Sequence, residues 1–152
     1  IITASTAVYK GEQEDASGKV IRKMVEEAGL DVVFMKALPT DKTVLSTVFQ
    51  RMADGNLADL ILTTGGAGCG PEDCTPEATM EVVDRPLLGI PEGMRAHMLT
   101  LTKRAMLNRA AAGIRGKVVI VNLPGKAGAV KECLGYILPE VMHAVEVAQG
   151  IK

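Results

Sequence analysis

Tryptophan is absent from the 152 residues, and only two phenylalanines and two tyrosines occur. Binding single-stranded nucleic acid by stacking needs aromatic faces, so that class is disfavoured. Charge of one sign is also lacking. Seventeen basic residues oppose eighteen acidic ones, for a formal net charge of -1. That balance argues against wrapping nucleic acid or binding membranes through a polybasic face. It leaves a small anionic ligand open, since a local site can be cationic on a neutral chain. No stretch approaches the ~18 uninterrupted apolar residues of a membrane span. Nor does a basic-then-apolar leader open the chain. Ile1 is not a start methionine, so a preceding piece is expected. Only three cysteines occur, Cys69, Cys74 and Cys133, too few for a disulfide framework. A reducing, cytoplasmic setting is expected. A closed zinc site needs four ligands at short paired spacings, which these cysteines with the distant His97 and His143 do not offer.

What remains is an ordinary globular composition, 47% hydrophobic and 23% charged, long enough for one domain over residues 1–152. Its core must come from Val, Leu, Ile, Ala and eight Met. Apolar periodicity alternates between strand and helix. Residues 1–4 read as a strand and 10–18 as a loop. A helix follows Ser17 as N-cap, with Val20, Ile21, Met24, Val25 and Ala28 on its apolar face, and stops at Gly29. Residues 31–38 (DVVFMKAL) read as a strand, and 44–52 as a helix ending near Gly55. Residues 58–64 (ADLILTT) are near-continuously apolar, as in a strand buried on both faces. A helix opens at Thr75-Pro76-Glu77, another is expected over 91–109, and 117–122 (KVVIVN) is a strand. Two helices are expected at the C-terminus, the second opened by Pro139. The order implies an α/β domain: a three-layer α/β/α sandwich with a mostly parallel sheet.

The strongest local signal is TTGGAGCGPEDCTP over residues 63–76. A buried strand runs into four glycines within six residues, then an Asp, then a helix start. Ligands of open α/β sheets sit at such strand ends. Glycines let backbone amides approach an oxyanion, and a helix N-terminus adds partial positive charge. Phosphate is the natural guest; a tight flexible turn is the alternative. No Walker lysine follows, and Pro71 breaks the dinucleotide fingerprint. Asp73 suits a hydrated Mg²⁺, or else tethers the loop. Asn122-Leu123-Pro124-Gly125-Lys126 forms a second strand-end loop, whose lysine either meets a phosphate or is merely solvated. Asp41, at a third strand-to-helix junction, is a second metal-facing carboxylate or the N-cap of the helix after it.

TTGGAGCGPEDCTPEAT followed by NLPG resembles the molybdenum-cofactor biosynthesis family, which includes molybdopterin adenylyltransferases, MoaB-type relatives and the gephyrin G domain. The likeness spans essentially the whole chain. It implies a molybdopterin-binding homotrimer that uses MgATP to attach AMP to the terminal phosphate of molybdopterin. Pyrophosphate is released, and other cofactor-biosynthesis proteins are expected as partners. By resemblance, Asp73 would be the catalytic, Mg²⁺-binding carboxylate and Asp41 its companion. Thr64, Gly65, Gly66, Ala67 and Gly68 would line the ligand loop, with Thr75 and Pro76 starting the helix at the site. Asn122, Leu123, Pro124, Gly125 and Lys126 would form part of the pterin pocket. The chain departs from the family at Thr6, Thr40, Ala67, Asn108, Lys126 and Ala127. A non-catalytic molybdopterin-binding carrier or scaffold is therefore the alternative reading.

Overall fold

In the computed structural model, which describes residues 1–152, the two most apolar strands lie side by side. These are β3 (Leu60–Thr64) and β6 (Val118–Leu123), paired in parallel from Leu60↔Val119 to Thr64↔Leu123. Every residue of β6 is buried, as expected of a strand covered on both faces. β1 (Ile2–Ala4) and β2 (Lys36–Leu38) extend the parallel part. β5 (Ala112–Arg115) and β4 (Arg85–Pro86) extend the other side antiparallel, giving the order β2-β1-β3-β6-β5-β4.

Alternation along the strands sends side chains to opposite faces. Leu62, Val119, Val121 and Leu123 pack with α2 (Ala16–Glu27), α5 (Gly89–Leu99) and α6 (Ala127–Ala148). Ile61, Val118 and Ile120 pack on the other side with Leu45, Phe49 and Met52 of α3 (Lys42–Asp54) and Ala78 and Val82 of α4 (Thr75–Val82). A short α1 (Thr6–Tyr9) follows β1. The three-layer α/β/α sandwich with a mostly parallel sheet is thus what forms. None of its helices is long and apolar enough to cross a membrane.

Several expected boundaries move. Asp15, not Ser17, caps α2: its Oδ1 accepts the Gly18 amide at 2.9 Å, and Ser17 is buried in the first turn. The strand expected over 31–38 shrinks to Lys36–Leu38, because β2 has only the three-residue β1 as neighbour. The helix expected over 91–109 ends at Leu99. A 3-10 turn (Lys103–Leu107) then starts where the Thr102 hydroxyl accepts the Arg104 amide. The two C-terminal helices are one, continuous through Pro139. Pro139 is exposed, so the hydrogen bond it forfeits is lost on the water side, where solvent replaces it. Strands β4 and β5 were not expected at all.

The parallel strands β1, β2, β3 and β6 all end on one edge. The chain leaves that edge through Ser5, Pro39 to Asp41, the glycine loop and Pro124 to Lys126.

Candidate active site

The glycine loop is shaped by its first two residues. Gly65 and Gly66 have φ of +88° and +69°. A Cβ on Gly65 would lie 2.5 Å from the Ala4 carbonyl oxygen, and one on Gly66 would lie 2.3 Å from the Thr75 hydroxyl. Only glycine fits either place. The buried Thr75 hydroxyl donates to the Gly65 carbonyl at 2.9 Å, and its amide donates to that of Gly66 at 3.0 Å. Further along, the Arg109 amide donates to the Ala67 carbonyl at 2.9 Å and its Nε to that of Gly68 at 2.6 Å. The amides of Gly66, Ala67, Gly68 and Cys69 donate to no protein acceptor. Such a run of unpaired backbone donors is what an oxyanion satisfies.

Asp73 closes the loop. Its Oδ2 accepts the Gly70 amide at 2.9 Å. A Cβ on Gly68 or Gly70 would press on that oxygen at 2.9 and 3.0 Å. The tethering reading therefore holds for Oδ2, while Oδ1 has no protein hydrogen bond. The Asp73 carbonyl accepts from Arg109 Nη2 at 3.0 Å. The same guanidinium grips Glu77 in two places, Nη1 to Oε2 at 2.7 Å and Nη2 to Oε1 at 3.1 Å. Those bonds hold the Glu77 carboxyl below its ordinary range.

Asp41 caps α3, its Oδ1 accepting the Val44 amide at 3.0 Å, and its Oδ2 is free of protein donors. Burial pushes the Cys74 thiol up, and the charges of Glu77, Asp41 and Asp73 push it further. All three carboxylates therefore act on Cys74, the N-cap of α4, against Lys42. Cys133 is buried in α6 with its thiol pushed up to about 11, so it is no nucleophile. No group of three or more His, Cys, Asp or Glu side chains comes together in a way that could hold a metal ion.

The second loop lies against the first. The Thr64 hydroxyl donates to the Pro124 carbonyl at 2.5 Å, and a Cβ on Gly125 would lie 3.4 Å from Gly65 Cα. Lys126 is exposed at the start of α6, with no side-chain capping bond. Asn122 lies beneath, wholly buried. Its Nδ2 donates to the hydroxyls of Thr63 at 3.1 Å and Thr79 at 2.8 Å, and its Oδ1 accepts the Ala111 amide at 3.0 Å. The expected ligand residues thus fall into two tiers. Gly65, Gly66, Gly68, Asp73, Asp41, Pro124, Gly125 and Lys126 reach the solvent edge. Thr64, Thr75, Pro76, Asn122 and Leu123, and the side chain of Ala67, are buried under it.

Arg109 was not expected at the site, and Glu77 was read only as part of the start of a helix. They stand 32 residues apart, and no local pattern joins them. A separate apolar groove opens at the opposite edge of the sheet, among Val32, Phe34, Leu57 and Met142. Asp31, Asp59 and Glu146 also line it, and their charge repels a phosphate.

The sequence matches the family described as a "probable molybdopterin binding domain" over residues 1–143. The chain belongs to that molybdenum-cofactor biosynthesis family. Within it, the chain is 36% identical over 152 residues to a protein of Helicobacter pylori named molybdopterin adenylyltransferase, covering 99% of this chain and 86% of that one. A protein of the same name from Pyrococcus furiosus is 38% identical over 155 residues, covering 98% and 89%. The crystal structure of the molybdopterin biosynthesis enzyme MoaB from Thermus thermophilus superposes with a TM-score of 0.92 at 37% identity, covering 98% and 94%. For this family member, the glycine edge is where the motif carrying the resemblance meets the free amides and the carboxylates.

Proposed function

We propose that the protein is a molybdopterin adenylyltransferase of molybdenum cofactor biosynthesis. An oxygen of the terminal phosphate of molybdopterin attacks the α-phosphorus of ATP. The bond from that phosphorus to the α,β-bridging oxygen breaks, and pyrophosphate leaves. The observation that carries this reading is the row of unpaired amides from Gly66 to Cys69, closed by Asp73, with the charges of Asp73 and Asp41 both acting on Cys74 at the start of α4, in a chain 36–38% identical to proteins of that name.

Phosphoryl-type transfer asks for placement and charge neutralisation rather than covalent help from the protein. The amide row holds phosphate oxygens, and the α4 N-terminus adds its partial positive charge. Lys126 supplies a mobile cation at the rim. Asp73 Oδ1 and Asp41 Oδ2 are oxygen donors without protein partners, which fits Mg²⁺, an ion content with one or two carboxylates. When bound, Mg²⁺ neutralises phosphate charge. Asp73 would be its principal ligand, oriented by the Gly70 amide.

The active form we propose is a homotrimer. Leu99, Leu101, Met106 and Leu107 are exposed, apolar side chains that a contact between subunits would cover. Met94, on the same helix as Leu99, belongs to the core instead. Sedimentation as a monomer at micromolar concentration contradicts the trimer. ATP supply and free thiols at Cys69 and Cys74 suit the cytoplasm, with other cofactor-biosynthesis proteins receiving the product. The direct test is mass spectrometry of the pterin after incubation with MgATP: adenylyl-molybdopterin is expected, and unchanged molybdopterin supports a carrier.

A further inference from the structure

We propose that Arg109 is a positioning residue of the phosphate cradle, aiming the amides of Gly68 and Cys69 from behind. The identity of the ligand rests on the adenylylation reading; the orientation does not. A trans peptide is planar, so the carbonyl of one residue and the amide N–H of the next point in opposite directions. No peptide in the chain is cis. Four consecutive carbonyls are tied back to the scaffold. Thr75 holds those of Gly65 and Gly66 through its hydroxyl and its amide. Arg109 holds those of Ala67 and Gly68 through its amide and its Nε. The amides of Gly66, Ala67, Gly68 and Cys69 must therefore face away from these anchors, and they are the four without protein acceptors. Donors fixed in advance need no reorganisation when charge arrives.

The side chain explains why an arginine does this. Its planar fork serves the Gly68 carbonyl, the Asp73 carbonyl and both Glu77 oxygens at once. A lysine has no fixed fork to span these acceptors. The bidentate grip on Glu77 fixes the plane of the guanidinium. Both partners are substantially exposed, with side-chain exposures of 37% and 47%. An ion pair so exposed contributes little to stability, so what the clamp provides is loop geometry.

The test compares wild type with Arg109→Ala, Arg109→Lys and Glu77→Gln. ATP and molybdopterin are titrated separately, which tells which phosphate occupies the cradle. Amide exchange is then followed by NMR at saturation. In Arg109→Ala the backbone anchor on Ala67 remains, and only the anchor on Gly68 is lost. Ligand-induced protection is expected to vanish at Cys69 and persist at Gly66, Ala67 and Gly68. Affinity for the occupying ligand falls about tenfold, the worth of one amide-to-anion hydrogen bond, with the melting midpoint almost unmoved. Arg109→Lys recovers part of the affinity, and Glu77→Gln loses less than Arg109→Ala. Unchanged affinity for both ligands together with a protected Cys69 amide overturns the inference. If Arg109→Ala does not fold, Glu77→Gln decides in the same way. Pyrophosphate release by the wild type reports separately on adenylylation, and a wild type that binds neither ligand overturns both readings.

Discussion

The Thr64 hydroxyl donates to the Pro124 carbonyl at 2.5 Å, across 60 residues of sequence. One bond thereby joins the end of β3 to the end of β6, where the glycine loop and the Asn-Leu-Pro-Gly loop begin. The two loops form one surface because the registers end together, Thr64 opposite Leu123. Thr64→Val keeps the shape and removes the donor. It is expected to destabilise the protein by about 1–2 kcal/mol and to lower turnover more than ligand-free stability explains. Urea unfolding beside pyrophosphate release measures both, and an unchanged midpoint contradicts the expected role.

Asp41 serves α3 through one carboxylate oxygen and leaves the other free. Asp41→Ala removes the cap and should cost about 0.5–2 kcal/mol. Asp41→Ser restores a capping oxygen but no carboxylate. Recovered stability without recovered turnover assigns the free oxygen to the reaction. Recovery of both in the serine variant makes Asp41 a helix cap and nothing more.

The Glu77–Arg109 pair has a defined pH signature. Arg109 lowers the folded-state pKa of Glu77. A depressed carboxylate contributes stability that is fully present above its unfolded pKa of about 4.3. That contribution is lost as pH falls through the lower folded value. The stability difference between wild type and Glu77→Gln should be small, constant near neutrality, and vanish in acid. Denaturant titrations at several pH values check this, and a difference that grows in acid contradicts it.

The parts legible in the sequence are those set by local pattern. ADLILTT reads as a doubly buried strand because its apolar run has no polar face to offer water. Asp41 reads as a cap, and Gly65 and Gly66 as a tight loop, since each signal lies within a few residues of the structure it makes. The expected α/β/α layering follows from the alternation of such segments. What escaped depends on partners distant in sequence. β5 is a four-residue strand, AGIR, defined by its pairing with β6 across the Gly116-Lys117 turn. β2 is cut short by its neighbour, and α6 survives Pro139 because solvent takes the lost bond. At the site, the glycines and Asp73 were visible as a motif. Asn122, expected as part of the pterin pocket, has its side chain held inside the core by the hydroxyls of Thr63 and Thr79 and the Ala111 amide. The Arg109 clamp was invisible because its acceptors, from Ala67 to Glu77, come from a segment about 32 to 42 residues earlier, which only folding brings alongside.

The most direct measurement is pyrophosphate release from MgATP by wild type and Asp73→Asn, with and without molybdopterin. Asparagine keeps an oxygen for the Gly70 amide and removes the charge that Mg²⁺ requires. Wild type should release pyrophosphate only when molybdopterin is present. Asp73→Asn should release none, while binding molybdopterin within about tenfold of wild type, since a metal carboxylate acts where charge develops rather than on the pterin. Full turnover by Asp73→Asn, or no molybdopterin-dependent release by wild type, would contradict adenylyl transfer at this edge of the sheet.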